Sequence, residues 1–405
     1  MNIEALAQWS GKPGDAQRQA LIIRAAFWAA WRSDKEALRA AGVRVAPGAG
    51  KSWRVTWGIP AAAPQNPVDS YVPDTSRAWS PEQDAIFRWF HHGTGNLVVT
   101  ARAGTGKTTT VSKAFSYAPE NTMLYAVFNR KNKLEADAKI SDSRVRVMTL
   151  HSLGYRLIKM IWPLAVPDDA VELDRVREVV GSNTKPDVVS AIARLVGYVK
   201  NDSISPSADE VTELAEQKEV FCEAFEYPDN GSWTLGRFVE TAMAVLAASK
   251  VQDQRHRVSF SDMVWLPVAM GWCRPMFDLV VIDEAQDMSL PQLTMATKVC
   301  QRGGRVCVVG DDRQAIYLFR GARLGAMDWM RQTLNAAALG LTVTYRCPKS
   351  VVALASQFVP DYRAAASAPD GVVSEACEAD MVAKVAVGDA VLSRLNAPLM
   401  EFCLK

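Results

Sequence analysis

The chain has 405 residues, 49% hydrophobic and 22% charged, with a formal net charge of +2 at pH 7. This length predicts two or three domains with sizeable cores, and the near-neutral charge does not by itself indicate a nucleic-acid-binding protein. No run of about eighteen apolar residues predicts a membrane span, and the first residues do not resemble a secretory signal. Seven scattered cysteines without a Cys-x-x-Cys pair, with four histidines, argue against a metal site and indicate a reduced, cytoplasmic protein.

Residues 1–58 are predicted to form a small basic α+β module. Residues 15–41 have a helical pattern, and alternating residues on both sides of Pro47–Gly50 predict a β-hairpin. Over residues 1–60, nine Lys and Arg against four Asp and Glu give a local charge of +5. This charge would suit a phosphate backbone, but a solvated helix face explains it at least equally well. Four prolines indicate a linker over residues 59–78.

After the linker, short apolar runs rich in β-branched residues alternate with helical patterns, which predicts a parallel sheet with helices on both faces. We expect this α/β domain to comprise residues 79–154 and 259–340, interrupted by a mostly helical insertion over residues 155–258. Within the insertion, Ala208–Phe225 and Leu235–Ser249 have helical patterns. The predicted strand runs are Leu97–Thr100, Met123–Phe128, Val145–Leu150, Leu279–Ile282, Val306–Val309 and Leu341–Thr344.

The clearest motif is the glycine-rich segment Ala101–Thr108, which follows a buried-strand pattern and precedes a helical one. Glycines let backbone N–H groups converge on phosphate oxygens, and the N-terminus of the next helix adds positive potential. Lys107 would then reach the β- and γ-phosphates of a nucleoside triphosphate, and Thr108 would contact Mg²⁺. The alternative is an ordinary glycine-rich turn. A second Gly-Lys-Ser, at residues 50–52, precedes a strand pattern and no helix, which argues against a nucleotide site there.

Two carboxylates, Asp283 and Glu284, follow the apolar run Phe277–Ile282. Carboxylates at the end of a buried strand are costly unless they serve a function. Beside a phosphate loop, Asp283 can bind Mg²⁺ and Glu284 can orient or deprotonate the attacking water. Taken alone, the pair could be the N-terminal acids of a helix. After the next buried strand, Gln314 is placed to contact the γ-phosphate and report hydrolysis.

Two aromatic residues and an arginine follow this glutamine: Tyr317, Phe319 and Arg320. Such side chains just beyond a nucleotide site suit stacking on nucleic-acid bases. The alternative is that both aromatics belong to the core.

Together, these segments resemble superfamily 1A helicases, the UvrD/Rep/PcrA-like group, over most of residues 79–405. Asp283–Asp287 resembles that family's Walker B motif, and Gly310–Ala322 resembles its motif III. Phe319 stands where the family often has a base-stacking tryptophan. The resemblance implies that the α/β domain is a RecA-like P-loop NTPase fold.

Two further segments resemble motifs that contact the adenine base. Trp79–Gln83 is similar to the Q motif, in which Gln83 would contact the adenine edge; the alternative is a helix capping box with Ser80. Thr344–Cys347 is similar to motif IV, in which Tyr345 would stack on adenine and the next residue would be an arginine finger, commonly worth about 10³–10⁵ in rate. The predicted ATP contacts are Gln83, Ala103, Gly104, Thr105, Gly106, Lys107, Thr108, Thr109 and Tyr345. The predicted catalytic residues are Lys107, Asp283, Glu284, Gln314 and Arg346, with Mg²⁺ at Thr108 and Asp283.

Contacts to single-stranded DNA are implied by two more resemblances. Phe128–Lys133 is similar to motif Ia, and Thr149–Ser152 is similar to motif Ib. Taken alone, His151 would be a structural residue. The predicted DNA contacts are Phe128, Asn129, Thr149, His151, Tyr317 and Phe319.

The sequence departs from the family pattern in two places. Arg102 stands where the family usually has glycine, which would alter the outer wall of the loop. Motifs V and VI, with a second arginine finger, are missing. Because Gly388–Arg394 resembles an early strand of a second RecA-like domain, residues 341–405 are predicted to be an incomplete start of that domain. The chain is therefore expected to be a truncated form or fragment, in which the loop binds ATP better than it hydrolyses it.

The leading hypothesis is the N-terminal part of an ATP-driven, 3′→5′ single-stranded DNA translocase and helicase, with the polarity implied by the resemblance alone. Its expected partner is single-stranded DNA or a junction of single- and double-stranded DNA. A protein partner could bind residues 1–58 or the insertion. The alternative is a nucleotide- and DNA-binding or regulatory protein without unwinding activity. A nuclease fused to a helicase finds no support, because no further acidic cluster stands out.

Overall fold

The structure is a computed structural model, and it divides into two units, Met1–Pro73 and Asp74–Lys405. In the first unit, β1 (Val43–Pro47) pairs antiparallel with β2 (Trp53–Trp57), which confirms the predicted hairpin. The predicted helix over residues 15–41 lies outside the described residues. The structure describes residues 43–47 and 53–57 as backbone, and residues 71–75, 77–221, 233–253, 255–315, 325–393 and 395–404 in full.

The second unit contains the α/β domain and the insertion. Its strands are β3 (Leu97–Ala101), β4 (Met123–Val127), β5 (Val145–Thr149), β6 (Val166–Pro167), β7 (Arg257–Val258), β8 (Phe277–Ile282), β9 (Cys300–Gly310), β10 (Ala337–Leu341), β11 (Val343–Thr344) and β12 (Arg363–Ala364). Its helices are α1 (Pro81–His92), α2 (Lys107–Ala114), α3 (Arg130–Asp137), α4 (Leu150–Ile161), α5 (Ala170–Val180), α6 (Pro186–Asp202), α7 (Ala208–Gln217), α8 (Leu235–Ser249), α9 (Phe260–Ala269), α10 (Leu290–Lys298), α11 (Ala326–Thr333), α12 (Lys349–Ala355), α13 (Glu378–Lys384) and α14 (Asn396–Cys403).

A six-stranded parallel sheet forms the centre of this unit, in the order β10-β3-β9-β8-β4-β5. Its central strands are apolar because both faces are covered, and all five residues of β4 are buried. This sheet confirms the predicted α/β fold. Since all strands are parallel, their carboxyl ends meet at one edge, where the loops that follow β3, β4, β8 and β9 lie side by side.

The last predicted strand run, Leu341–Thr344, is not a single strand. The edge strand β10 ends at Leu341, while β11 leaves the sheet and pairs with β12. Between them, the Thr342 N–H and hydroxyl donate to the two carboxylate oxygens of Glu82 at 2.8 and 2.6 Å, which turns the chain. The sequence missed β10 because it begins with two alanines, which have no strong preference for a strand.

The residues between α4 and α9 are mostly helical, as predicted, and α5 to α8 share one buried core with Ile158 of α4 and with Trp265 and Leu266 of α9. The strands β6 and β7 pair in parallel where the chain enters and leaves this helical segment. The helix predicted at Ala208–Phe225 is interrupted, because Glu219 adopts a φ of 50°, which a right-handed helix cannot accommodate. The helix α7 ends at Gln217, helical backbone resumes at Val220 and Phe221, and residues 222–225 lie outside the described residues. The helix predicted at Leu235–Ser249 is confirmed as α8.

A buried ion cluster joins the insertion to α9 of the α/β domain. Lys200 on α6 donates to both carboxylate oxygens of Glu172 on α5 at 2.9 and 2.8 Å, and to Asp262 on α9 at 2.7 Å. Arg175 donates to the other oxygen of Asp262 at 2.6 Å and to Ser249 on α8 at 3.2 Å. Because the side chains of Lys200 and Asp262 are fully buried, the cluster specifies how these helices meet.

The strand predicted at Gly388–Arg394 is wrong over residues 388–393. Gly388 adopts a φ of 104°, and the backbone N–H of Ala386 donates to the side chain of Asp389, which closes a turn there. The surrounding described residues form α13 and α14. Within the described part of the chain, no helix is both long enough and apolar enough to cross a membrane.

Candidate functional site

The glycine-rich segment Ala101–Thr108 forms the connection between β3 and α2. Gly104 and Gly106 have φ angles of 70° and 80°, in the left-handed region that favours glycine. A Cβ atom at Gly104 would lie 2.6 Å from both Thr344 Oγ1 and Arg346 Cβ. Gly106 is the N-cap of α2 and offers no side chain to this helix end, which therefore stays open to an anionic ligand.

A lysine and two carboxylates lie together beside this loop. Lys107 Nζ is 2.5 Å from Glu284 Oε2 and 3.9 Å from Asp283 Oδ1. Asp283 is buried and accepts a 2.7 Å hydrogen bond from Tyr125 Oη on β4. Burial raises the pKa of Asp283, and the positive charge of Lys107 opposes that rise. Burial and the charge of Asp283 also raise the pKa of Tyr125, so its hydroxyl stays a donor at neutral pH.

Glu284 has a strained backbone, with φ 53° and ψ 43°. A non-glycine residue in this left-handed region costs on the order of 1–2 kcal/mol, and such strain concentrates at functional sites. The surroundings hold this conformation: the Glu284 N–H donates to Asp283 Oδ1 at 3.0 Å, and Gln286 Nε2 donates to Glu284 Oε2 at 2.9 Å. The carboxylate is therefore fixed in direction as well as in position.

The predicted sensor, Gln314, is connected to the Glu284 carboxylate through two residues, Asp311 and Gln286. Gln314 Nε2 donates to Asp311 Oδ2 at 2.7 Å, and the Asp311 N–H donates to Gln286 Oε1 at 3.0 Å. Gly310 allows the close approach, because a Cβ there would lie 2.5 Å from Gln286 Oε1. The loops after β8 and β9 thus share one hydrogen-bond network that reaches Glu284.

A cavity of about 450 Å³ opens beside the loop and brings the predicted residues together. It contains all five predicted catalytic side chains and every predicted ATP contact except Gln83. The sequence missed four lining residues, although three of them follow β4 with the i, i+3, i+7 spacing of one helix face. The missed lining residues are Arg77, Asn132, Glu135 and Lys139.

The segment after β10 forms one wall of the cavity. The Tyr345 N–H donates to the Gly104 carbonyl at 2.9 Å, and Tyr362 Oη donates to the Ala103 carbonyl at 2.9 Å. These contacts place Tyr345 and Arg346 beside the phosphate loop. Tyr362 had no motif in the sequence that could have revealed this contact.

Gln83 is not among the residues that line the cavity. It forms the capping box that the sequence left open as the alternative to an adenine contact. Its Oε1 accepts from the Ser80 N–H at 3.0 Å while Ser80 Oγ accepts from the Gln83 N–H at 3.2 Å, so the capping box of α1 is formed. Its Nε2 donates to Thr110 Oγ1 on α2 at 2.9 Å. Gln83 thus ties α1 to the helix that follows the phosphate loop.

The predicted DNA contacts at the ends of β4 and β5 lie outside the cavity lining. Asn129 and Thr149 are the N-caps of α3 and α4, accepting from Asn132 N at 2.8 Å and Ser152 N at 3.2 Å. Phe128 is partly buried and packs against the hydrophobic core of the α/β domain. Burial lowers the pKa of His151, so this imidazole favours its neutral form. Tyr317, Phe319 and Arg320 lie outside the described residues.

Comparison with known proteins identifies relatives of this arrangement. The family model for the UvrD/REP helicase N-terminal domain matches residues 79–335. The chain is 21% identical over 291 residues to ATP-dependent DNA helicase PcrA of Bacillus subtilis, covering 65% of this chain and 37% of that protein. It is 25% identical over 262 residues to ATP-dependent DNA helicase Rep of Escherichia coli, covering 57% and 36%. A probable DNA helicase II homolog of Mycoplasma pneumoniae is 23% identical over 309 residues, covering 69% and 42%. The chain therefore spans about two fifths of the length of these relatives.

Proposed function

This chain belongs to the UvrD/REP helicase family, and from that premise we propose that it hydrolyses ATP at the phosphate loop to drive movement along single-stranded DNA. The observation that supports this most directly is that Lys107, Asp283, Glu284, Gln314 and Arg346 all line one cavity. Its volume of about 450 Å³ lies within the range of small-molecule sites, about 300–1,000 Å³.

In this proposal, the loop and the start of α2 bind the phosphates through backbone N–H groups. Lys107 exchanges its contact with Glu284 for the β- and γ-phosphates, which frees that carboxylate to orient or deprotonate the attacking water. Gln314 reports the state of the γ-phosphate, and Arg346 stabilises the charge that develops on it.

The site also fits Mg²⁺. This ion takes one or two protein carboxylates together with substrate phosphates and water, rather than a cage of many side chains. Among the described residues, no group of three or more His, Cys, Asp or Glu could hold a metal ion, whereas Thr108 and Asp283 both line the cavity. These two residues would hold Mg²⁺, which would neutralise charge on the transferred phosphoryl group.

For the adenine base, the exposed ring of Tyr345 at the cavity wall supports a stacking role. The Gln83 side chain has fewer free hydrogen-bonding positions for the base. Its Oε1 accepts one bond in the capping box, and one of its two N–H groups donates to Thr110. The second N–H group and the second lone pair of Oε1 stay available to contact the base. The adenine contact of Gln83 therefore stays a prediction that uses this donor or this acceptor position.

Single-stranded DNA would cross the ends of β4 and β5, where Phe128 and Asn129 follow β4, Thr149 ends β5 and His151 lies in the first turn of α4. The neighbouring Phe260 supports this, because its side chain is 54% exposed and its ring centroid lies 6.1 Å from that of His151. An exposed aromatic beside a neutral imidazole suits base stacking. The 3′→5′ polarity is proposed from the family resemblance.

The proposal is tested by measuring ATP hydrolysis with and without a single-stranded oligothymidylate. We expect Lys107→Ala to lower the stimulated rate at least about 100-fold, because it removes a preorganised charge from the phosphate site. Lys113→Ala is the matched control: this lysine lies on the same helix but pairs with Asp74 at 2.8 Å, away from the cavity. Its rate should match the wild type.

Unchanged hydrolysis in Lys107→Ala would exclude the loop as the catalytic site. A chain that binds a fluorescent ATP analogue and oligothymidylate, but shows no turnover, would instead support the nucleotide- and DNA-binding or regulatory protein. A strand-displacement assay on a 3′-tailed and a 5′-tailed duplex separates unwinding from translocation and reports the polarity.

A further inference from the structure

Arg102, which replaces the usual glycine of the family's phosphate loop, bridges two carboxylates from distant parts of the chain. Its Nη1 donates to Asp311 Oδ1 at 2.6 Å. Its Nε and Nη2 donate to Asp361 Oδ1 and Oδ2 at 3.0 and 2.9 Å, a paired contact. The guanidinium provides five N–H donors in a fixed plane, so it can hold both carboxylates at once, which a lysine cannot do.

The contact with Asp311 connects Arg102 to Gln314, the predicted γ-phosphate sensor. Asp311 is 2% exposed, and its second carboxylate oxygen accepts the 2.7 Å hydrogen bond from Gln314 Nε2. Its N–H donates to Gln286, whose Nε2 donates to Glu284. A buried carboxylate needs a counter-charge, and Arg102 supplies it from the phosphate loop.

The contact with Asp361 connects Arg102 to the segment that carries Arg346, the predicted arginine finger. Asp361 lies in the same segment as Arg346, and its side chain is 45% exposed. Next to it, Tyr362 Oη donates to the Ala103 carbonyl, and the Tyr345 N–H donates to the Gly104 carbonyl. Three successive loop residues therefore contact this segment.

We propose that Arg102 is a positioning residue that fixes the positions of Gln314 and Arg346 relative to the phosphate loop, so that γ-phosphate sensing and the arginine finger act together. This inference rests on the proposed ATP hydrolysis. The bridge opposes separation of the 341–365 segment from the loop, because separation would break two charge-assisted hydrogen bonds and expose the loop carbonyls. It is a feature of this chain, since a glycine at this position has no side chain to form it.

The first test is a kinetic cycle with Arg102→Ala, Asp361→Ala and the double variant, measured with ATP and oligothymidylate. We expect Arg102→Ala to lower kcat about tenfold while KM for ATP changes less than about threefold, because positioning groups act on the transition state more than on binding. Asp361→Ala should lower kcat less, and the double variant no more than Arg102→Ala, since Asp361 acts through Arg102.

Conservative and matched variants separate positioning from general loss of structure. Arg102→Lys should recover part of kcat, because the lysine ammonium can pair with one of the two carboxylates, Asp311 or Asp361. Arg363→Ala, which removes an exposed arginine from the same segment, should leave kcat within about twofold of the wild type. The inference is overturned if Arg102→Ala retains kcat within about twofold, or if its effect multiplies with that of Asp361→Ala.

Hydrogen exchange tests whether Arg102 bridges Asp311 and Asp361, and it does not depend on ATP hydrolysis. Arg102→Ala should raise amide exchange both in residues 311–315 and in residues 343–365, whereas Asp361→Ala should raise it in residues 343–365 alone. If the wild type hydrolyses no ATP but this pattern is found, the proposed function fails and the bridge stands. Unchanged exchange in Arg102→Ala overturns the bridge even when Lys107→Ala shows that the loop is catalytic.

Discussion

Substitution of Lys200 by methionine tests how firmly the insertion is held to the α/β domain. The methionine keeps most of the side-chain volume but removes an ammonium that donates to Glu172 and Asp262 at 2.7–2.9 Å. Removing one member of a buried ion cluster costs about 3–5 kcal/mol, because the remaining charges stay buried without compensation. Arg175 still contacts Asp262 at 2.6 Å, so we expect the lower end, about 3 kcal/mol.

The matched control is Lys250→Met. Lys250 and Lys200 both place Nζ over the ring of Trp265, at 5.5 and 5.7 Å from its centroid, but only Lys200 is buried. An exposed cation–π contact contributes about 0.5–1 kcal/mol. Lys250→Met should therefore cost far less than Lys200→Met.

Urea denaturation followed by far-ultraviolet circular dichroism measures both variants, with midpoints and slopes compared separately. A midpoint shift at constant slope reports lost stability. A free energy of unfolding for Lys200→Met within about 1 kcal/mol of the wild type, or an equal loss in Lys250→Met, would refute the stabilising role of the buried Lys200.

Three further predictions follow from single contacts. First, although burial opposes it, the charges of Lys200 and Arg175 lower the pKa of Asp262 to about 2, below the unfolded value of about 3.9. The stability that this shift contributes is present above about pH 4 and lost as pH falls toward 2, so the stability difference between wild type and Asp262→Asn should shrink on acidification. Second, Gly104→Ala should weaken binding of a fluorescent ATP analogue at least about tenfold, because its Cβ would lie 2.6 Å from Arg346 Cβ at a φ of 70°; unchanged affinity would contradict this. Third, Tyr125→Phe should lower the free energy of unfolding by about 1–3 kcal/mol, because buried Asp283 loses its donor; a neutral effect in urea denaturation would refute that role.

The sequence by itself determined the features that depend on local pattern. The strand, glycine-rich loop and helix at residues 97–114 were predictable because these elements follow one another closely and each has its own local signal. The carboxylates after β8 and the glutamine after β9 were predictable for a similar reason, since parallel strands end at the same edge of a sheet. The mostly helical character of residues 155–258 was predictable because helical patterns replace strand patterns there.

Other features were decided only by the tertiary structure. The Ser80-x-x-Gln83 spacing fits a capping box as well as the resemblance to the Q motif, so only the packing of α1 against α2 could show that Gln83 bonds to Thr110. The edge strand β10 has a weak local preference and forms because β3 offers it a free edge in the sheet.

The partners of the charged groups were also beyond the sequence. Arg102 meets Asp311 and Asp361, which lie 209 and 259 positions further along the chain. Tyr125 meets Asp283 across 158 positions. No periodicity or spacing links residues so far apart, because their contact depends on strand order and loop packing rather than on local preference. The sequence thus determined where the glycine-rich loop and the two carboxylates lie, and the folded structure determined which side chains hold the proposed catalytic groups in place.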